Sequence, residues 1–455
     1  MSSERNDLTQ GGILRKLLLV AFPIIGTQVI QMTYNLTDMF WLGRLGSEAV
    51  AASGSVGMYM WLSMSFIVLG SIGAQIGVSQ NAGRGNMAAA KDIGRSAAQL
   101  NLFTGVLYGL ALFLLNGLFI GFFNIKEAAV AEAAREYLKI IALGIPFNFF
   151  AAASTGIHNG AGNSRSPFFI NAIGLVLNML LDPIMIFTFD MGIKGAAYAT
   201  VIAQVVVGVL SFFALKKFRG RPFEEFTLFK KPDFSKVKTI LKWSAPSGIE
   251  SFLFCFLTMI ISRMVAQWGA DAIAAQRVGS QIESLSWLVA GGFCSALTAF
   301  VGQNFGAEKF DRIKKCFGLS TVAMIAYGVF IFAVMFFGGG IIFSFFLPGG
   351  GEVLAIGVRY TKILAASQVL ACFEAVAAGF FRGKGRTVPP SVVSISVNIL
   401  RVLLAYILSR GALGLTGIWV AVSVGTASRG LLMYLWYALS QDRGLRLSKS
   451  RLVDK

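Results

Sequence analysis

Charge is scarce in this sequence. Asp, Glu, Lys and Arg supply 14% of its 455 residues, against 55% hydrophobic ones, and the mean hydropathy is +0.69. A water-soluble domain carries about a quarter charged residues, so a soluble globular fold is excluded. Histidine occurs once, as His158, and four cysteines (Cys255, Cys294, Cys316, Cys372) are scattered along the chain. Neither type offers metal-ligand spacing, a nucleophile–base constellation or a disulfide framework. An enzyme is therefore not expected, nor a metal or other cofactor. No cleavage-like site follows the polar start, Ser2 to Arg15, so the first apolar run is expected to stay in the protein. Acids are scarcer than bases, 22 to 40, giving a net charge of +18. Those bases are not clustered among aromatics as a phosphate-binding face requires, so no nucleic-acid partner is expected.

What is present is a series of long apolar runs, such as Leu17–Ile30, Ala199–Leu215 and Met324–Phe346. A helix needs roughly 20 mostly apolar residues to cross a bilayer. Polar, Gly- or Pro-containing breaks delimit twelve spans: 14–43, 48–80, 95–123, 129–160, 166–188, 192–217, 238–268, 271–304, 317–347, 352–382, 388–410 and 413–440. The 51 glycines suit close helix packing in lipid. Lys and Arg concentrate in alternate segments: Arg5, Arg15 and Lys16; Arg84, Lys91 and Arg95; Arg165; Lys216–Lys242; Lys309–Lys315; Arg382–Arg386; and Arg443–Lys455. The other loops hold little beyond Arg44, Lys126, Lys194 and Arg410. The positive-inside rule then places both termini in the cytoplasm.

A shift of 223 residues lays the chain on itself, an internal repeat. Pro23 falls on Pro246, Gln80-Asn81-Ala82-Gly83 on Gln303-Asn304-Phe305-Gly306, Tyr137 on Tyr360, and Gly160, Gly162 and Pro167 on Gly383, Gly385 and Pro390. The predicted fold class is an all-α membrane protein. Its twelve transmembrane helices form two six-helix bundles, related by a pseudo-twofold axis along the membrane normal with a substrate cleft between them. The expected division is an N-terminal half, 1–217; a cytoplasmic linker, 218–237; a C-terminal half, 238–440; and a basic tail, 441–455.

The two Gln-Asn-x-Gly segments are joined by Gly156-Ile157-His158-Asn159-Gly160-Ala161-Gly162-Asn163 and Gly379-Phe380-Phe381-Arg382-Gly383-Lys384-Gly385-Arg386. With these four segments the chain resembles, over essentially its whole length, the multidrug and toxin extrusion (MATE) family. Tyr34-Asn35-Leu36-Thr37-Asp38 and Gln281-Ile282-Glu283-Ser284 are similar to its prokaryotic DinF-type branch. The resemblance implies a monomeric antiporter of the cytoplasmic membrane. It implies export of small cationic, amphiphilic organic compounds in exchange for protons, less often sodium. Phe254 and Ala371 stand where the NorM-type branch carries acids, which argues against a sodium site of that kind. A lipid-linked precursor flippase of the same superfamily is the rival, kept open by Arg263, Arg277 and Arg401.

Ionisable groups inside spans are costly and so mark function. Asp38 lies roughly 33 Å along its helix from Lys16, and Asp182 roughly 26 Å along its own from Arg165, so the two acids are expected at comparable depth in the outer half. Thr27, Gln31, Tyr34, Asn35 and Asp38 share one helix face, and Asn171, Gly174, Asn178 and Asp182 another. Thr200 and Gln204 begin a third polar face. Matching family positions imply a pocket of Asp38, Asn178, Asp182, Thr200 and Tyr137. Asp38 and Asp182 are the candidate proton-coupling pair, sharing a proton as closely spaced carboxylates do. The candidate substrate-binding set is Asp38, Tyr34, Asn35, Met32, Met64, Asn178, Thr200 and Tyr137. The methionines there are soft and adaptable, though plain packing is the commoner use of such a stripe.

The repeat maps Asp38 to Ile261, Asn178 to Arg401 and Asp182 to Ala405, so the acidic pocket belongs to the first copy alone. Whether proton and drug compete for Asp38, or protonation bends the helix at Pro23, stays open. Asp182 precedes Pro183, and a helix break there is its alternative use. His158 reads as a polar residue at a helix end rather than a proton relay. Glu250, Glu283 and Glu374 in the second copy are candidates for a second polar site or a proton exit.

Overall fold

The computed structural model describes residues 7–453 except 126, 217–221, 224 and 347–350, and side chains except also 270, 345–346 and 441–453. Arg5, Lys126, part of the linker and the tail's side chains from Arg443 onward thus lie outside the described residues. Among those described, the secondary structure is helical. In chain order α1 is Ile13–Leu45, α2 Ser47–Gly83, α3 Met87–Leu114, α4 Asn116–Gly121, α5 Ala128–Gly160, α6 Arg165–Pro183 and α7 Gly192–Lys216. These are followed by α8 Phe234–Ala266, α9 Ala270–Gly306, α10 Phe310–Phe346, α11 Gly351–Ala365, α12 Gln368–Gly383, α13 Val388–Arg410 and α14 Gly414–Val453.

Eleven of these stretches are long and apolar enough to cross a membrane, and twelve if α11 and α12, which meet at 47°, form one bent span. The 33 residues of α1 extend about 50 Å, beyond a hydrocarbon core of roughly 30 Å. Phe337 and Ile341 are 75% and 76% exposed, an arrangement that lipid, not water, makes favourable. The chain is a multi-pass membrane protein.

Four spans differ from the sequence expectation, the twelfth because α14 runs on to Val453 instead of ending at 440. The third begins at Met87 rather than 95, because Asn86 caps it: its side chain accepts from the Ala89 N–H. It ends at Leu114, and the rest of the predicted span is the short α4. The ninth starts at Phe310 instead of 317. The tenth is bent at 366–367 with no proline. There Ser367 Oγ (2.8 Å) and Gln368 Nε2 (3.1 Å) both donate to the Leu364 carbonyl.

The chain divides into two compact units. Unit 1 is Met1–Gly248 with Thr298–Lys309, and unit 2 is Ile249–Leu297 with Phe310–Lys455. Among the described residues, unit 1 shows two apolar cores. One gathers Leu42, Val56, Leu112, Leu138, Phe149 and Ile186, and the other Val78, Ile93, Ile157, Leu215 and Ile240. The linker's Phe223, Phe226 and Leu228 are buried in the latter, and Gln99 donates to the carbonyls of Leu228 and Lys230 at 2.7 Å. Both Gln-Asn-x-Gly segments lie in unit 1 and need their glycines for the same reason. A Cβ on Gly83 would collide with the Gln303 carbonyl, and one on Gly306 with the Gln80 carbonyl. Gln303 also accepts from the Leu8 N–H (3.0 Å) and donates to the Gly160 carbonyl (3.0 Å), so three distant segments meet there. Unit 2 is built around Val265, Phe343, Leu364, Ile418 and Trp419.

Candidate functional site

In unit 1, α1, α5, α6 and α7 place one polar group each, or several, against an apolar surround. Asp182 ends the regular part of α6. Pro183 lacks the N–H that would continue the ladder, and the chain runs on as a wider π turn, Ile184–Thr188, instead of breaking. Such turns favour functional sites because they re-aim side chains. The first turn of α7 packs on this one through Gly195, where a Cβ would lie 2.6 Å from the Met185 backbone. The site is thus shaped by a proline and a glycine one helix apart.

Asp182 and Asn178 are wholly buried. Asn178 Nδ2 donates to Asp182 Oδ1 at 3.0 Å, which leaves Oδ2 without a protein partner. Asp38 is half-buried, and its Oδ1 has no hydrogen bond. It lies within electrostatic reach of Asp182, and the phenols of Tyr34 and Tyr137 are within reach of both carboxylates. Tyr34 faces the Thr200 hydroxyl without completing an aligned bond. Gln204 points its unpartnered Oε1 at Gly144 of α5, where a Cβ would collide with it. Among the described residues, no Lys, Arg or His forms an ion pair with either acid.

The structure therefore brings together Asp38, Tyr34, Tyr137, Asn178, Asp182 and Thr200. Met32 is half-buried on α1, whereas Asn35 and Met64 are exposed and outside this polar contact set. Met60 packs against the apolar core instead. His158 lies in the last turn of α5, at the helix end where the sequence puts it, and is buried there, its Nδ1 paired with the Ser154 carbonyl at 2.8 Å. α1 runs unbroken through Pro23.

Unit 2 holds a different assembly. Glu283 accepts from Trp287 Nε1 (3.1 Å) and Tyr360 Oη (3.4 Å), with Arg401 in electrostatic reach. Arg401 in turn stacks on Phe254, 5.5 Å from its centroid. Glu374 meets Arg429 at 2.6 Å as a buried ion pair, and Glu250 accepts from Ser391 at 2.9 Å. Sequence reasoning missed Arg429. A lone arginine inside the last apolar span was the available signal. Glu250 and Glu374 lie in electrostatic reach of each other and of Arg382, whereas Glu283 has its own donors in Trp287 and Tyr360.

Comparison with known proteins agrees with this architecture. A family model described as MatE matches residues 23–184 and again 246–407, the same interval of 223 seen in the internal repeat. The "Probable multidrug resistance protein NorM" of Thermotoga maritima is 29% identical over 439 residues, 93% of this chain and 92% of that protein. The "Probable multidrug resistance protein YpnP" of Bacillus subtilis is 26% identical over 450 residues, covering 97% and 98%. A solved structure described as MATE in the bent conformation superposes with a TM-score of 0.91 at 21% identity, covering 98% of this chain and 99% of that one. The duplicated helical unit and the repeated match lead to one conclusion: the chain belongs to the MatE family, the multidrug and toxin extrusion transporters, and is a transporter rather than an enzyme.

Proposed function

We propose that this transporter exports small cationic, amphiphilic organic compounds in exchange for protons, by alternating access. Asp38 and Asp182 are the coupling pair. The observation that carries this reading is a buried carboxylate, Asp182, in electrostatic reach of the half-buried Asp38, bordered by amide and hydroxyl groups and, among the described residues, by no ion-paired base. Structural acids in membranes are normally matched with a cation or a full donor set, and these are not. The relatives' names as multidrug resistance proteins support the substrate class.

In the proposed cycle, external protons load the pair and lower its attraction for a bound organic cation. The cation leaves, the carrier reorients, and the protons pass to the cytoplasm, restoring the negative site. Tyr34, Tyr137, Asn178 and Thr200 orient the carboxylates and offer polar contacts to the cargo. In this proposal both termini lie in the cytoplasm of a prokaryotic cell, which the basic alternate loops support, and the working unit is one chain. The DinF-type reading fits the second unit, where Phe254 carries an arginine on its face instead of an acid.

The test is transport of a fluorescent organic cation in everted vesicles under an imposed proton or sodium gradient. Proton-driven movement is expected, with loss in Asp38→Asn at normal protein levels. Full proton coupling in that variant, or a response to sodium alone, overturns the proposal.

A further inference from the structure

The ends of α8 and α13 in unit 2 enclose a cleft of about 440 Å³, lined by Ile260, Arg263, Met264, Trp268, Ser409 and Arg410 among others. That lies within the roughly 300–1,000 Å³ typical of small-molecule sites. The helix ends concerned are those opposite the Lys/Arg-rich loops, so the cleft opens at a membrane–water interface. Its lining is graded. Ile260 and Met264 are apolar, whereas Arg263, Trp268, Tyr406 and Arg410 are exposed.

Both arginines are available for a ligand. Among the described residues neither guanidinium lies within 4 Å of a carboxylate. Arg410 is held by its stack on Tyr406, 4.2 Å from the ring centroid, which orients its N–H groups without using them. Trp268 leans on Gly414, whose φ of +52° and close approach to the indole fix that wall.

The first copy shows that the cleft is not a by-product of the scaffold. Subtracting 223 puts Phe40 at the place of Arg263, Trp41 at that of Met264 and Phe187 at that of Arg410. There, in unit 1, the rings of Trp41 and Phe187 pack edge-on at 6.0 Å, and Arg44 covers Phe40 and Trp41. At matched positions, one copy closes the gap with aromatics and the other lines it with two unpaired arginines.

We propose that the cleft of unit 2 is a binding site for a phosphate-bearing anion. Arg263 and Arg410 grip the oxyanion, Ser409, its hydroxyl donated to the Tyr406 carbonyl at 3.0 Å, forms a wall beside them, and Trp268, Met264 and Ile260 receive the organic part. Guanidinium forks match phosphate oxygens in pairs, and Trp and Tyr are at home at headgroup level. The chemistry is shared by an anionic phospholipid headgroup and a water-soluble organic phosphate. The site belongs to unit 2, whereas Asp38 and Asp182 belong to unit 1, and the proposal does not rest on them.

The purified full chain is titrated with dioctanoyl phosphatidylglycerol, dioctanoyl phosphatidylcholine and glycerol phosphate, with binding read by native mass spectrometry and by thermal shift. Phosphatidylglycerol is expected to bind about tenfold more weakly to Arg263→Gln/Arg410→Gln, a loss in line with one charge-assisted bond. Arg263→Lys/Arg410→Lys keeps the charge and the fold and is expected to fall between. Ser409→Leu, which fills the cleft and leaves both charges, is expected to weaken binding too. Loss for the lipid alone assigns a headgroup, and parallel loss for glycerol phosphate assigns a soluble ligand. Phosphatidylglycerol binding that is equal in all these variants, or equal to that of phosphatidylcholine, overturns the site.

Discussion

At matched positions the two copies of the repeat make opposite choices. Unit 1 puts Asp38, Asn178 and Asp182 where unit 2 has Ile261, Arg401 and Ala405. Tyr137 and Tyr360 are kept in both and are buried in both. In unit 1 the tyrosine faces two carboxylates with an oxygen to spare, and in unit 2 it donates to Glu283, which Trp287 and Arg401 also serve. The same helical frame thus carries an under-satisfied acidic group in one copy and a charge-matched network in the other. A group left short of partners can take up a proton or a cation at little cost. A matched pair holds the helices together and resists change.

The strongest way to break this comparison is to neutralise one acid from each side. Asp38→Asn is expected to abolish proton-driven transport, while Glu283→Gln, which keeps one of the two acceptor oxygens that serve Trp287 and Tyr360, is expected to retain it. Transport and external pH change are read together in vesicles. Equal loss in both variants erases the asymmetry.

Next in size is the Glu374–Arg429 pair, which has no counterpart at Ala151 and Val206. Removing one member strands a buried charge, a loss of about 3–5 kcal/mol, whereas replacing both by apolar residues of similar volume is near neutral. Glu374→Gln should therefore lower the melting temperature in detergent sharply, and Glu374→Leu/Arg429→Met should recover most of it. A double variant no better than the single one shows that the pair does more than balance charge.

Much of this contrast could be read before any coordinates. Twelve apolar runs, a constant interval of 223 and polar residues three and four apart depend only on local periodicity and on the bilayer. They led to the spans and to the face bearing Tyr34 and Asp38. Partnership across helices was harder. Arg429 finds Glu374 only once α14 lies beside α12, and the Arg263–Arg410 cleft exists only where two helix ends meet. The burial of His158 was hidden because distance along a helix says nothing about what packs around its end. The bend at 366–367 was invisible for a related reason. It is made by Ser367 and Gln368 bonding to Leu364, whereas the first copy carries Pro146 close to the same place and remains one helix.

Two further predictions sharpen the packing side of the contrast. In unit 1, the buried Asn101 joins three helices, accepting from the Gly70 N–H (2.8 Å) and donating to the carbonyls of Ile67 (3.1 Å) and Phe149 (3.0 Å). Its repeat counterpart is the buried Met324. Converting the first copy to the second, Asn101→Met, removes three bonds of about 1 kcal/mol each. A stability loss of that sum is expected in detergent unfolding. An unchanged stability implies that side-chain packing replaces the bonds in full.

The smallest effect is expected at the bend of the tenth span. Gln368 is fully buried, bonds to Leu364 and accepts from Ser286 Oγ at 2.8 Å. Its counterpart in the unbroken helix of unit 1 is Ile145. Gln368→Leu leaves the Ser286 hydroxyl buried without its acceptor, at about 1–3 kcal/mol. It also removes one of the two side chains holding the Leu364 carbonyl away from the helical ladder. Ser367 still occupies that carbonyl, so the bend should persist while the unit loosens. Amide exchange in α12 is expected to rise with little change in α11. If α11 and α12 instead gain protection together as one straight helix, Gln368 alone sets the difference between the copies at this span.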